Sequence, residues 1–126
     1  LLIFAWANIL RVMELNDFAN LFKSLSEPVR LRILYLLMAR GELCVCDIVN
    51  SLELSQSVVS RHLAYLRNSG LVNTRREGVW IYYQLIENCT FITQLLEKFR
   101  DAGADSVALK YDLERLQSEK GSSRCC

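Results

Sequence analysis

A single proline, Pro28, and a single histidine, His62, stand among 126 residues, and neither charge sign dominates. One proline in a chain that is 52% apolar excludes a disordered protein and points to an ordered, mostly helical one. With no second histidine, no pair of cysteines separated by two intervening residues as in a redox motif and no phosphate-binding glycine loop, nothing supports an enzyme, a thiol oxidoreductase included. The net charge of +1 names no partner. The apolar run at residues 1–12, LLIFAWANILRV, is shorter than the ~20 residues that span a bilayer. It also lacks the basic start and the cleavage site of a secretion signal. A cytoplasmic protein without membrane contact is therefore expected. Residues 1–12 read as an N-terminal extension upstream of a start at Met13; if retained, they would lengthen the first helix at a dimer interface. Five cysteines, Cys44, Cys46, Cys89, Cys125 and Cys126, are an odd number. Without a secretion signal they favour reactive or metal-binding thiols over a framework of structural bridges.

What is present reads as one domain with a modest core, which a second copy would enlarge. Leu15, Phe18, Phe22 and Leu25 recur at helical spacing from Glu14 to Leu25. Ser26 is placed to cap the next helix and Pro28 suits its first turn. From Glu27 to Ala39 that helix is apolar on nearly all sides, which predicts the centre of the core, and Gly41 ends it. A helix from about Leu43 to Leu52 carries Cys44 and Cys46, with Ile48 and Leu52 inward. Glu53-Leu54 is the turn. Ser55 caps a second helix whose Val59, Leu63 and Leu66 must pack inward. Gln56, Ser57, Ser60 and Arg61 then face outward. These side chains read base edges and phosphates, although a polar face meeting only water has the same composition. Leu71–Arg76 and Val79–Leu85, with Glu77-Gly78 between them, predict a β-hairpin with Arg75 and Arg76 at its tip. Trp80, Tyr82 and Tyr83 are expected in the hairpin core. From Ser55 to Leu85 four arginines face Glu77 alone, net +3, which leaves −2 for the rest of a chain whose total is +1. That local basic balance suits nucleic acid. Ile92, Leu95, Leu96 and Phe99 form a further stripe, and Val107, Leu109, Leu113 and Leu116 a weaker one. The fold class is mainly α with a small β-hairpin, a winged helix-turn-helix. Residues 13–118 form the DNA-binding and dimerisation domain, and residues 119–126 a flexible cysteine-containing tail.

The stretches Glu42-Leu43-Cys44-Val45-Cys46-Asp47, Ser55-Gln56-Ser57, Ser60-Arg61-His62-Leu63, Leu66-Arg67 and Ser69-Gly70-Leu71-Val72, with the hairpin through Tyr83 and Leu85, resemble the ArsR (ArsR/SmtB) family of metal-sensing repressors. The similarity spans roughly Phe18 to Leu85. It implies a winged-helix homodimer that represses a resistance operon and leaves its operator when As(III) or Sb(III), or in relatives Cd(II), Pb(II) or Zn(II), binds. It implies Cys44 and Cys46 as metal ligands, and Ser55, Gln56, Ser57, Ser60, Arg61, His62, Arg75 and Arg76 as DNA-contacting residues. The arsenic-sensing pattern often has a third thiol where this chain has Val49. A two-thiol site would be weaker or would recruit another ligand, for which Cys125 and Cys126 are candidates and Cys89 is a poorer one. The family's other site, with histidine and carboxylates on the C-terminal helix, has no counterpart, because residues 90–103 contain no histidine.

The cysteine spacing suggests how release would work. Two positions on an α-helix differ by about 200°, so one ion held by both thiols would have to distort that turn and tilt the helix behind it. Asp47 is expected to favour the helix start rather than to ligate. The first helix and the C-terminal helices are expected to pair across a two-fold axis. The two reading helices would then enter successive major grooves about 34 Å apart on a double-stranded, imperfectly palindromic operator. A thiol-redox-sensing regulator on the same fold is the alternative.

Overall fold

The computed structural model describes residues 12–87 and 89–118. The expected extension lies outside this range apart from Val12, and Cys125 and Cys126 lie outside it altogether. Helix α1 spans Leu15–Ser24, α2 Pro28–Arg40, α3 Val45–Leu52 and α4 Gln56–Asn68. Strands β1 (Glu42–Cys44), β2 (Val72–Glu77) and β3 (Trp80–Leu85) form one antiparallel sheet in the order β1-β3-β2. Helices α5 (Thr90–Gly103) and α6 (Val107–Ser118) follow.

Helix α2 is the centre, as its all-round apolar sequence predicts. Ile33, Leu34, Leu36 and Leu37 are fully enclosed by Ile48 and Leu52 of α3, Val59, Leu63 and Leu66 of α4, Val72 of β2, and Leu96 and Leu116 of the last two helices. Its cap is Glu27, not Ser26. A residue before proline is pushed out of the α region, so Glu27 stays extended and its Oε1 accepts the N–H groups of Val29 (2.6 Å) and Arg30 (3.2 Å). The Ser26 hydroxyl instead donates to the Lys23 carbonyl. Gly41 ends α2 with a positive φ of 92°, which glycine adopts without the steric cost a Cβ would bring.

Two elements differ from the sequence expectation. Leu43 and Cys44 are not helical: the chain leaves Gly41 extended and pairs with the free edge of β3, so the two-stranded hairpin gains a third strand. The hairpin loop is Gly78-Val79, one residue later than Glu77-Gly78, because Glu77 still pairs with Trp80. Gly78, at φ 63°, takes the first loop position, which type II′ turns give to glycine.

The two-sided character of α1 is also reassigned. Leu21 and Ser24 face the core of this chain, whereas Leu15 and Phe22 of the expected stripe are 81% and 51% exposed. Helix α6 folds back against α3 and α2, burying Leu109 and Leu116, and leaves Val107 exposed. Among the described residues no helix is long and apolar enough to cross a membrane.

Candidate nucleic-acid interface and thiol site

Helices α3 and α4 are joined by a tight turn through Glu53, which adopts the left-handed conformation (φ 56°) and returns its N–H to the Val49 carbonyl at 3.0 Å. Ser55 caps α4, its hydroxyl accepting the Val58 N–H at 3.3 Å. Val59, Leu63 and Leu66 are fully buried, so Ser55, Gln56, Ser57, Ser60 and Arg61 are left exposed together on the opposite side. That follows from helical period alone: one apolar stripe fixed inward orients every other position.

His62 is not on that exposed face. It is 8% exposed, with Nδ1 3.2 Å from Arg30 Nη1 and Nε2 3.9 Å from Glu27 Oε1. Burial, with the nearby positive charges of Arg30 and Arg61, holds its pKa below the ordinary histidine value, against the opposing pull of Glu27. Arg30 itself ties three helices together. Its Nε donates to the Ser24 carbonyl at 2.8 Å and its Nη2 to the Lys23 carbonyl at 3.1 Å, at the end of α1. Its guanidinium also lies 4.0 Å from the centre of the Tyr65 ring on α4. A second buried knot holds the end of α3. Asp112, 1% exposed, accepts from Arg32 Nε and Nη2 at 2.8 Å each and from Arg115 Nη2 at 2.7 Å. The same two arginines donate to the last carbonyls of α3, Arg32 to Leu52 at 2.9 Å and Arg115 to Ser51 at 2.6 Å. Positive charge there complements the negative end of the helix dipole. Sequence reading passed over Arg30 and Arg32 of α2. The available signal was two cations at the start of a helix whose middle is wholly apolar, which burial tolerates only when they are paired.

On the wing, Arg75 and Arg76 alternate between the two faces of β2. Arg76 is exposed. Arg75 is exposed too, but its guanidinium is held by surface ion pairs: Nε and Nη2 clasp Glu42 at 2.8 and 2.9 Å, and Nη1 donates to Glu77 at 2.9 Å. The pairing holds the Glu42 carboxyl below its usual range and the Arg75 guanidinium above its own. The guanidinium lies 4.7 Å from the Tyr82 ring centre. Tyr83 packs against the core, while Trp80 and Tyr82 are half-buried.

Cys44 is the extended residue just before α3, buried in β1, and Cys46 is half-buried in the first turn. Because Cys44 is outside the helix, the 200° separation does not apply, and the expectation that a shared ion must unwind the turn loses its premise. Asp47 Oδ2 approaches Cys44 Sγ to 3.4 Å. Both Cys44 and Cys46 are disulfide-bonded, so their sulfurs become ligands only after reduction. Two soft sulfurs suit a thiophilic ion, but among the described residues no three histidine, cysteine, aspartate or glutamate side chains group to hold a metal. Cys89, the free cysteine among the described residues, precedes α5 with its Sγ 3.7 Å from Met13 Sδ.

The family model described as "Bacterial regulatory protein, arsR family" matches residues 27–74, from the α2 cap to the middle of β2. The cadmium resistance transcriptional regulatory protein CadC homolog of Staphylococcus aureus is 44% identical over 82 residues, 65% of this chain and 66% of that one. The arsenical resistance operon repressor of Bacillus subtilis is 39% identical over 71 residues, 56% of this chain and 68% of that one. The solved structure of HlyU from Vibrio cholerae is 38% identical, with a TM-score of 0.65, over 74% of this chain and all of that one. Against several curated relatives the chain spans only half to two thirds of their length.

Proposed function

The chain belongs to the arsR family of bacterial regulatory proteins, and from that premise we propose that it is a homodimeric winged-helix repressor of a metal(loid)-resistance operon. The observation that carries this reading is the outer face of α4, where Ser55, Gln56, Ser57, Ser60 and Arg61 stand exposed together, with Arg76 exposed on the wing that follows. A helix so equipped reads base edges and phosphates in a major groove. His62 and Arg30 position that helix from behind. The relatives it matches are named as transcriptional regulators and repressors, proteins that act by binding DNA rather than by catalysis. The exposed Leu15 and Phe22 of α1, with Phe91 of α5 beside Phe18, supply an apolar face for a second copy, which sets two reading helices on a palindromic operator.

The inducer we propose is As(III) or Sb(III) held by reduced Cys44 and Cys46, with Cd(II), Pb(II) or Zn(II) as alternatives. The names of the arsenical and cadmium relatives support both groups. A third ligand would come from outside the described residues, with Cys125 or Cys126 as candidates. Ligation at the start of α3 bears on the helix whose far end sets the turn into α4. A coupling of ~1–3 kcal/mol would lower operator affinity 5–150-fold. Fluorescence anisotropy on the DNA upstream of its own gene tests this, with arsenite, antimonite, cadmium, lead and zinc titrated in turn. Arsenite should release wild type and leave Cys44→Ser/Cys46→Ser bound; equal release of both rejects the site.

A thiol-redox regulator is the second reading, favoured by the disulfide-bonded state of Cys44 and Cys46. Two thiols would give up two protons and two electrons to an oxidant such as peroxide, which leaves as water. Release by peroxide but not by arsenite selects it.

A further inference from the structure

Cys44, Tyr82 and Arg75 occupy one rung of the sheet. Tyr82 of the central strand pairs with Cys44 on one side and Arg75 on the other. Paired residues share a face of the sheet, as do residues two apart on a strand. Glu42 therefore stands on the same face, two rungs along from Cys44 on the same strand. Arg75 reaches it diagonally across the Tyr82 ring and makes a two-pronged clasp, with Glu77 occupying the remaining arm. Two carboxylates around one guanidinium leave the group net negative, and three of its five N–H donors, including the Nε–Nη2 pair, are taken.

We propose that Glu42 is a positioning residue that withdraws Arg75 from DNA when Cys44 is engaged, so that the wing arginine alternates between the Glu42 carboxylate and an operator phosphate. The structure has both halves of the withdrawn state together: Cys44 bonded and Arg75 clasped. A ligand or bond at the Cys44 sulfur braces the strand that presents Glu42, and the guanidinium stays seated over Tyr82 in its clasp. With the thiol free, β1 loses that brace and the phosphate competes for Arg75. The inference rests on the DNA-binding reading above and adds a route from the thiol to the wing that does not pass through α4.

The test uses full-length wild type, Glu42→Gln, Glu42→Asp, Arg75→Ala and the double variant Glu42→Gln/Arg75→Ala. Operator binding is followed by anisotropy from 50 to 200 mM salt, with thiols reduced, oxidised by diamide, or treated with arsenite. In the engaged states Glu42→Gln should retain affinity that wild type loses. Its salt slope should steepen by about 0.9, the value of one added phosphate contact, so that its advantage over wild type grows about threefold from 200 to 50 mM. The gain should vanish in the Arg75→Ala background, and Glu42→Asp, which keeps the charge, should behave more like wild type. Glu42→Gln indistinguishable from wild type in affinity and slope overturns the proposal, as does a gain that survives Arg75→Ala. Thermal unfolding confirms that each variant is folded. Wild type that binds no DNA at low salt is a separate outcome and refutes the DNA-binding reading together with this one.

Discussion

Arginine always donates, so the His62 Nδ1 that Arg30 Nη1 meets at 3.2 Å must accept, and the neutral ring carries its single proton on Nε2, towards Glu27. A second proton on Nδ1 would point at a guanidinium inside the protein. The unfolded chain binds that proton near the ordinary pKa of 6.5, while the folded chain binds it only at lower pH. Stability is therefore whole above about pH 6.5 and falls as pH drops below it, because the unfolded state takes up more protons there. Urea unfolding at pH 5.5 and 7.5 should show the loss in wild type, and His62→Gln should reduce the difference between the two pH values. At this scale the sequence identified residue types but not surroundings. His62 follows Arg61 directly in the chain, and only its position on the helix relative to α2 separates a buried ring from an exposed donor.

Helix α3 is short, eight residues, and such a helix is marginal without tertiary support. Its support is the Arg32–Asp112–Arg115 knot, which brings α2 and α6 onto its last carbonyls. Removing the carboxylate by Asp112→Ala leaves two guanidinium groups without their buried partner, a change that costs ~3–5 kcal/mol. A corresponding fall in the urea midpoint checks it, and operator affinity should fall with it as the α3–α4 turn loosens. Arg115→Met keeps the Arg32–Asp112 pair and should cost less. The α4 helix was legible in advance because one strong apolar stripe and one serine cap suffice to orient it. The β1 strand was not. Three residues after a glycine carry no period of their own, and they become a strand only because β3 offers an open edge.

For the whole molecule, the exposed Leu15 and Phe22 of α1 are among the apolar side chains that a single copy leaves in water. Leu15 and Phe22 contribute little to the folded chain by itself, since water reaches them. Leu15→Asp/Phe22→Glu should therefore leave the unfolding midpoint of dilute protein nearly unchanged. It should shift sedimentation equilibrium from dimer to monomer and weaken binding to a full palindrome far more than to a half-site. A double variant that remains dimeric refutes α1 as the interface.

The sequence by itself determined the main elements: a core helix apolar on all sides, a helix oriented by Val59, Leu63 and Leu66, a hairpin with adjacent arginines, and thiols ahead of them. Each of these rests on local periodicity or on the chemistry of a short motif, which the chain carries wherever it folds. Tertiary structure decided what those pieces touch. It put Cys44 in a strand rather than a helix, turned His62 inward, tied Arg75 to Glu42 across 33 positions, and fastened α6 to the end of α3. Such pairings depend on which surfaces meet once the core closes, and that is a property of packing in three dimensions rather than of spacing along the chain.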